Sequence, residues 1–341
     1  MAAGSENLLQ QRAVDEAQVL AFFRAHNRYL LVCHAHPDGD TLGSAIGLQV
    51  MLAQMGKEAR VVCASEIPRR LRFLAGGAAQ LAPLPQDLEA YTVVTVDVAA
   101  PGLLGDYEQL IGADGAAALA LDHHGTHVPF AQRILCRPDL AACAELIFDL
   151  AQAAFGYSIS SPPPRALAVP LYTGISTDSG SFMYSAVSWK THQRAAVLLA
   201  ADLRHYEICA QLYENKPLSE VRATRAAYDQ MRLHCSGQVG IAVFTPQVME
   251  QYALSEEDLD SVVNLIRGVE GVRIAVHAKY RAPDTYKISM RSDPGLDVSA
   301  VCRQFGGGGH PCAAGCTVSR QAPEEIEQMI LQQIKGVLGI A

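Results

Sequence analysis

Three short apolar runs in this chain each end in residues that can hold a metal ion. Residues 29–33 lead to His34, residues 92–96 to Asp97, and residues 117–121 to Asp122, His123 and His124. Continuous apolar runs of this length read as strands buried on both faces. In an open parallel α/β sheet, functional groups gather beyond the carboxyl ends of the strands, and here that end receives Asp and His three times over. The pattern constrains the first half of the chain to a parallel sheet with a metal-dependent site along one edge.

Composition bounds the rest. With 341 residues, half of them hydrophobic, the chain can bury a substantial core and is long enough for two domains. Nine cysteines without a CxxC pair suggest neither a disulfide framework nor a thiolate zinc cluster. Residues 1–21 lack the basic and apolar regions of a signal peptide, and no apolar stretch is long enough to span a membrane. The expectation is a cytoplasmic protein without a membrane partner. A net charge of −8 argues against wrapping long duplex DNA, which needs many Lys and Arg at the phosphates. Nucleotides and short oligomers remain open, because a small anion needs only a few cations or metal ions.

Beyond His34, apolar residues at Leu42, Ile46, Met51, Leu52 and Met55 predict a helix over 41–55, with Gly56 as its stop. Gly43 and Gly47 on that helix suggest a close approach to the sheet. Further strands are expected at 60–63, 93–96 and 119–121, giving a βαβ series. The run Ser160-Ser-Pro-Pro-Pro164 suits a helix start, with a helix over 166–174 that Pro170 would kink or end. Residues 190–218 read as a helical connector. Thereafter strands at 239–244, 272–278, 286–290 and 316–318 alternate with helices at 255–267, 298–305 and 323–338. The expected organisation is a catalytic metal-binding domain over 1–187, a helical linker over 188–219 and a substrate-binding domain over 220–341. In fold class this is α/β: a parallel-sheet domain joined by a helical linker to a smaller mixed α+β domain.

The first site motif, His34-x-x-x-Asp38-x-Asp40, offers an imidazole and two carboxylates in one loop, with His36 competing for the imidazole role. Carboxylates one residue apart point in different directions and suit neighbouring ions. Asp97 could bridge two metals, the segment 122–124 adds oxygen and nitrogen ligands, and Asp178 supplies a late carboxylate in a glycine- and serine-rich turn. Any one of these Asp residues alone is more often a cap or turn former. Together, four carboxylates and several histidines form a cluster that demands a cation. Mixed His and Asp ligands without thiolates favour a borderline-hard ion such as Mn²⁺. The histidines at 26, 127, 192, 205, 234 and 277 lack partner spacing and read as surface or core residues.

In the second half, Phe305-Gly-Gly-Gly-Gly-His310 follows Arg291, which closes a strand. Consecutive glycines accept conformations that side chains forbid and can expose N–H groups to a phosphate, whereas the bland reading is a flexible turn. Arg291 suits bidentate phosphate contact, which favours the first reading.

In order and together, segments 34–44, 96–97, 122–124, 174–182 and 306–310 resemble the DHH phosphoesterases with their DHH-associated C-terminal domain. The resemblance spans nearly the whole chain and is nearest to the stand-alone bacterial nano-RNase and pAp phosphatase branch. It implies one metal held by His34, Asp38 and Asp97, and a second held by Asp40, Asp97, His123 and Asp178. The family histidine stands four residues before the first Asp, which selects His34 over His36. His124 would contact the scissile phosphate, Asp97 would bridge the ions, and Asp122 would orient the site. Arg291, Gly307, Gly308, Gly309 and His310 would hold a substrate phosphate or nucleotide.

The implied activity uses two Mn²⁺, or Mg²⁺ or another divalent ion, to cut short single-stranded RNA or DNA, linear dinucleotides or pAp to 5′-mononucleotides. The family analogy also allows a homodimer. Two alternatives stand beside this reading. A family II inorganic pyrophosphatase shares the first and third motifs but not the glycine run, and a non-catalytic nucleotide-binding module would not need a full ligand set.

Overall fold

In the computed structural model, which describes residues 2–111, 117–259, 261–281, 285–319 and 322–339, the chain forms two compact units, Met1–Asn215 and Lys216–Ala341. The first is built on a five-stranded sheet of β1 (Arg28–Val32), β2 (Glu58–Val62), β3 (Thr92–Val96), β4 (Leu119–Asp122) and β5 (Ile134–Cys136), in the order β2-β1-β3-β4-β5. Every pairing is parallel. The strands are largely apolar toward their carboxyl ends because both faces are covered there: Leu31, Val94, Val96 and Leu121 join one core, while Leu30, Val32, Val62 and Ala120 join a second on the opposite face. The order reverses between β1 and β3, which places the switch point of the sheet at the carboxyl ends that carry His34 and Asp97.

Helices α1 (Ala2–Arg12) and α2 (Glu16–Ala25) precede the sheet, and α3 (Gly39–Gln54) links β1 to β2. Asp38 caps α3, its Oδ1 accepting from the N–H groups of Asp40 and Thr41 at 2.9 and 3.0 Å. Helices α4 (Cys143–Phe155), α5 (Arg165–Asp178), α6 (Trp189–Leu199) and α7 (His205–Cys209) follow. Gly43 and Gly47 face α5, not the sheet: a Cβ on Gly43 would lie 2.3 Å from the Pro170 carbonyl oxygen, and one on Gly47 would lie 2.4 Å from Leu171. The small face of α3 is spent on a helix crossing, and α5 is thereby locked beside the first motif.

Pro164 opens α5 and Pro170 lies within it, yet the helix runs on to Asp178. The proline therefore does not stop the helix, and Asp178 is its last residue instead of part of a loose turn. The segment after α6 is not one continuous helical connector, because Asp202 and Arg204 adopt left-handed conformations that break it before α7. Residues 188–215 belong to the first compact unit.

The second unit holds α8 (Leu218–Gln230), β6 (Arg232–His234), β7 (Val239–Phe244), α9 (Pro246–Gln251), α10 (Val262–Arg267), β8 (Ile274–Arg281), β9 (Thr285–Ser292), α11 (Val298–Arg303), β10 (Gly308–His310), β11 (Ala313–Ser319) and α12 (Pro323–Leu338). Its sheet runs β10-β11-β9-β8-β7-β6, with only β7 and β8 parallel. One face packs on α11 and α12, the other on α8 and α10. The helix expected over 255–267 is interrupted. The N–H and hydroxyl of Ser255 both donate to Asp258 Oδ2, at 2.8 and 2.7 Å, closing a tight turn, and α10 begins only at Val262.

Candidate metal centre

Five carboxylates and three imidazoles meet at the carboxyl ends of β1, β3 and β4. His34 follows β1, and its Nε2 lies 3.6 Å from Asp38 Oδ1 and 3.9 Å from Asp97 Oδ2. His123 follows β4, and its Nε2 lies 3.7 Å from Asp40 Oδ2, 3.5 Å from Asp97 Oδ1 and 3.3 Å from Asp178 Oδ2. These separations exceed hydrogen bonds. They match donor atoms sharing one ion, since two ligands about 2.1 Å from a cation stand roughly 3.0 Å apart at a right angle and up to about 4.2 Å apart on opposite sides. Among the groups with ligand spacing are His34 with Asp38 and Asp97, and Asp40 with His123 and Asp178. Asp97 turns Oδ2 toward the first and Oδ1 toward the second.

Asp97 is 2% exposed, and its Oδ1 is buried without a hydrogen-bond partner. An unsatisfied buried carboxylate oxygen is costly, and a cation is the group that would satisfy it. The residue also sits in a left-handed conformation, φ 60°, which a non-glycine residue adopts at a cost. Its N–H donates to Leu121 at 2.8 Å, holding the turn against β4. Burial first, then the charges of Asp40, Asp38, Asp122 and Asp178, push its carboxyl well above the usual range. Asp178 is pushed up to about 7 for the same reasons, burial and then Asp40. Burial also works against the Asp38 anion, but contact with His34 outweighs it and keeps that carboxyl below its ordinary value.

The imidazoles are held in the tautomers that ligation requires. His123 Nδ1 lies 3.2 Å from the Leu140 carbonyl oxygen, so it carries the proton and Nε2 presents a lone pair to Asp40, Asp97 and Asp178. His124 is likewise held through Nδ1, which donates to Asp122 Oδ1 at 2.7 Å. That nitrogen is committed to Asp122, so His124 is not a ligand through Nδ1 and its Nε2 is the atom left for other chemistry. Asp122 Oδ1 also accepts from the N–H groups of His123 and His124 at 2.8 and 3.2 Å. Burial raises the Asp122 carboxyl, but its bonds to His124 and His127 prevail and hold it well below the usual carboxylate range. His36 is exposed, outside both groups.

Three contacts were invisible in the sequence. Asp40, fully buried, accepts from the N–H groups of Cys143 at 2.6 Å and Ala144 at 2.9 Å, and so supplies the missing cap at the start of α4 from 103 residues away. Gly174 leaves room for this joint: a Cβ there would lie 2.7 Å from Ala144 and 2.9 Å from Asp40 Oδ1. His127, expected as an isolated histidine, is buried with Nδ1 2.5 Å from Asp122 Oδ2. Its only sequence signal is the turn Gly125-Thr126 that returns the chain toward β4.

In the second unit, Arg291 lies near the end of β9, half-buried, and its Nη1 donates to the Met290 carbonyl at 3.0 Å. Gly308–His310 is an edge strand, not a flexible turn. The register pairs Ala313 with both Arg291 and His310, placing these two in one row, about 10 Å apart across two strand spacings. The side chain of His310 lies outside the described residues. Gly307 and Gly309 are required by the backbone: a Cβ would lie 2.2 Å from the Gly315 carbonyl oxygen in one case and 2.5 Å from that of Ala313 in the other, and Gly309 has φ 139°. A Cβ on Gly308 would meet nothing within 4 Å.

Comparison with known proteins agrees with this layout. Residues 28–175 match the model of the DHH family N-terminal domain, and residues 239–338 match that of the DHHA1 domain. Relatives named bifunctional oligoribonuclease and PAP phosphatase NrnA include one from Thermus thermophilus, 30% identical with 90% of this chain and 89% of that protein covered. One from Bacillus subtilis is 22% identical, with 89% of this chain and 93% of that protein covered. Among solved structures, an exopolyphosphatase-related protein from Bacteroides fragilis superposes with a TM-score of 0.84 at 21% identity, covering 94% of this chain and 95% of that one, and so shares the fold. Both domain models match in sequence order and the Thermus relative aligns over nearly the full chain: the protein belongs to the DHH family and carries a DHHA1 domain after its DHH domain.

Proposed function

We propose that the chain is a phosphohydrolase that uses two divalent ions, Mn²⁺ by preference, to cut short oligonucleotides to 5′-mononucleotides and to dephosphorylate pAp. The observation that carries this reading is the placement of Asp97, whose two oxygens face two separate ligand groups while one of them stays buried and unpaired. His34, Asp38 and Asp97 would hold one ion, and Asp40, Asp97, His123 and Asp178 the other. Ions bound there supply charge neutralisation at the phosphate and a water acidic enough to react near neutral pH. His124, fixed through Nδ1 and favoured in its protonated form by its bond to Asp122, presents Nε2–H as a donor to a phosphate oxygen, where charge builds in the transition state. Asp122 keeps that ring aligned. In the second unit, Arg291, His310 and the backbone of Gly307, Gly308 and Gly309 are the proposed holders of a substrate phosphate. The names of the relatives, which pair an oligoribonuclease with a PAP phosphatase, support this choice of substrates.

The test is a panel of pAp, pyrophosphate and 5′-phosphorylated RNAs of about two, five and twenty nucleotides, with Mn²⁺, Mg²⁺ or chelator. Hydrolysis of pAp and the short RNAs is expected, lost with chelator, with pyrophosphate left intact. Rapid cleavage of pyrophosphate alone would replace this reading with that of a pyrophosphatase.

A further inference from the structure

The turn after β4 contains a residue that the proposed chemistry does not use and that is nevertheless built into it. His127 has a side chain 2% exposed, and its Nδ1 lies 2.5 Å from Asp122 Oδ2. Its N–H donates to the His124 carbonyl at 3.1 Å, and its ring packs beside Phe130 at 5.3 Å. Asp122 is thereby gripped at both oxygens, Oδ1 by three donors from His123 and His124 and Oδ2 by His127. A carboxylate bound on one oxygen alone can pivot, whereas one bound on both has a fixed plane, and that plane sets the direction of the His124 ring. Cys136 completes the clamp, its Sγ lying 3.3 Å from the His124 carbonyl oxygen.

The trio Asp122, His127 and Cys136 also has the spacing of a small metal site, but the Asp122–His127 contact decides against that. At 2.5 Å the two atoms are at hydrogen-bond separation, closer than two ligands of one ion stand. The far nitrogen, Nε2, is buried with no hydrogen-bond partner among the described residues. Only the Nδ1 end of this imidazole is employed, so its work is to hold Asp122.

We infer that His127 is a positioning residue of the hydrolytic centre: its grip on Asp122 Oδ2 fixes the carboxylate plane and aims His124 Nε2 at the phosphate. This rests on the phosphohydrolase reading for its kinetic consequence, but the geometry it describes exists without substrate.

The experiment compares the full-length protein with His127→Phe, which keeps a ring against Phe130 but removes the donor, and His127→Asn, which restores an N–H. Kinetics on a 5′-phosphorylated dinucleotide are paired with ¹⁵N spectra of the histidine rings, recorded with and without Mg²⁺. For His127→Phe, kcat is expected to fall about 10- to 100-fold with KM and metal stoichiometry unchanged, as for loss of an outer-shell hydrogen bond. With its ring neutral at alkaline pH, His124 should then pass from a single Nδ1-protonated form to a mixture of tautomers. His127→Asn is expected to recover most of kcat and the single form. Should the Phe variant not fold, His127→Leu gives the same two readings. Unchanged kcat with an unchanged His124 spectrum would overturn the inference, as would a loss confined to metal stoichiometry. An unsubstituted enzyme that hydrolyses no member of the substrate panel would instead refute the functional reading, and the ring spectra alone would then decide the role of His127.

Discussion

Substituting Gly43 by Ala tests the packing that brings the ligands together. The added Cβ would sit 2.3 Å from the Pro170 carbonyl oxygen and 3.0 Å from the Gly174 nitrogen, the first of these about 1 Å inside ordinary contact. Both obstacles are backbone, so neither can rotate away, and α5 must move outward. Overpacking of this kind costs up to about 3 kcal/mol. Replacing Gly by Ala inside a helix returns about 1 kcal/mol. A net loss of about 2 kcal/mol lowers Tm by roughly 4 to 8 °C in a unit of this size. The same displacement carries Asp178, the last residue of α5, away from His123 Nε2, now 3.3 Å distant. Metal affinity should fall at least about 10-fold. Thermal melts and calorimetric Mn²⁺ titration read the two effects, with Gly102→Ala as control, since a Cβ there meets nothing within 4 Å. A Gly43→Ala protein that melts at or above the unsubstituted temperature and binds metal as tightly would refute the account of α3 and α5.

Asp97→Ala should cost at least about a hundredfold in turnover while the protein still folds, and near-normal metal-stimulated hydrolysis would count against a shared ligand. In metal-free protein the carboxyls of Asp97 and Asp178 lie above their unfolded values, Asp178 at about 7. The folded state therefore holds more protons than the unfolded one, so stability present near pH 4 is lost as pH rises through about 7. Melts across that range should show the decline, and saturating Mg²⁺ should flatten it. Arg291→Ala should raise KM by about 10- to 150-fold, the loss of a charged hydrogen bond worth roughly 1.5 to 3 kcal/mol, with metal stoichiometry intact. With a net charge of −8, binding of longer RNAs should show no steep salt dependence, which titrations at several ionic strengths would check.

What the sequence discloses here is local chemistry. Apolar runs ending in Asp or His locate β1, β3 and β4 and their ligands, because strand burial and ligand type are both written in adjacent residues. The partner of each face is not. Gly43 and Gly47 announce a close approach, but the expected partner was the sheet and the structure places α5 there instead. Asp40 can be read as a ligand, but its service as the cap of α4 depends on a residue 103 positions away. His127 looked solitary because its partner lies across a turn whose geometry no periodicity encodes. Short edge strands such as β5, β6 and β10 carry too few residues for a pattern, and their pairing comes from neighbours already in place.

The cap at α4 repeats at Asp40 what the start of α3 does at Asp38. A helix N-terminus carries about half a positive charge, and the one that begins at Cys143 points straight at Asp40. Three of the electron pairs on that carboxylate are already engaged by Cys143, Ala144 and Ser44. An ion beside Asp40 would thus meet a ligand whose charge has been partly drawn off, as would one beside Asp38, whose Oδ1 already accepts from the N–H groups of Asp40 and Thr41 at the start of α3. Each of these carboxylates is held in place by a helix start, so neither side chain would have to be ordered when an ion binds.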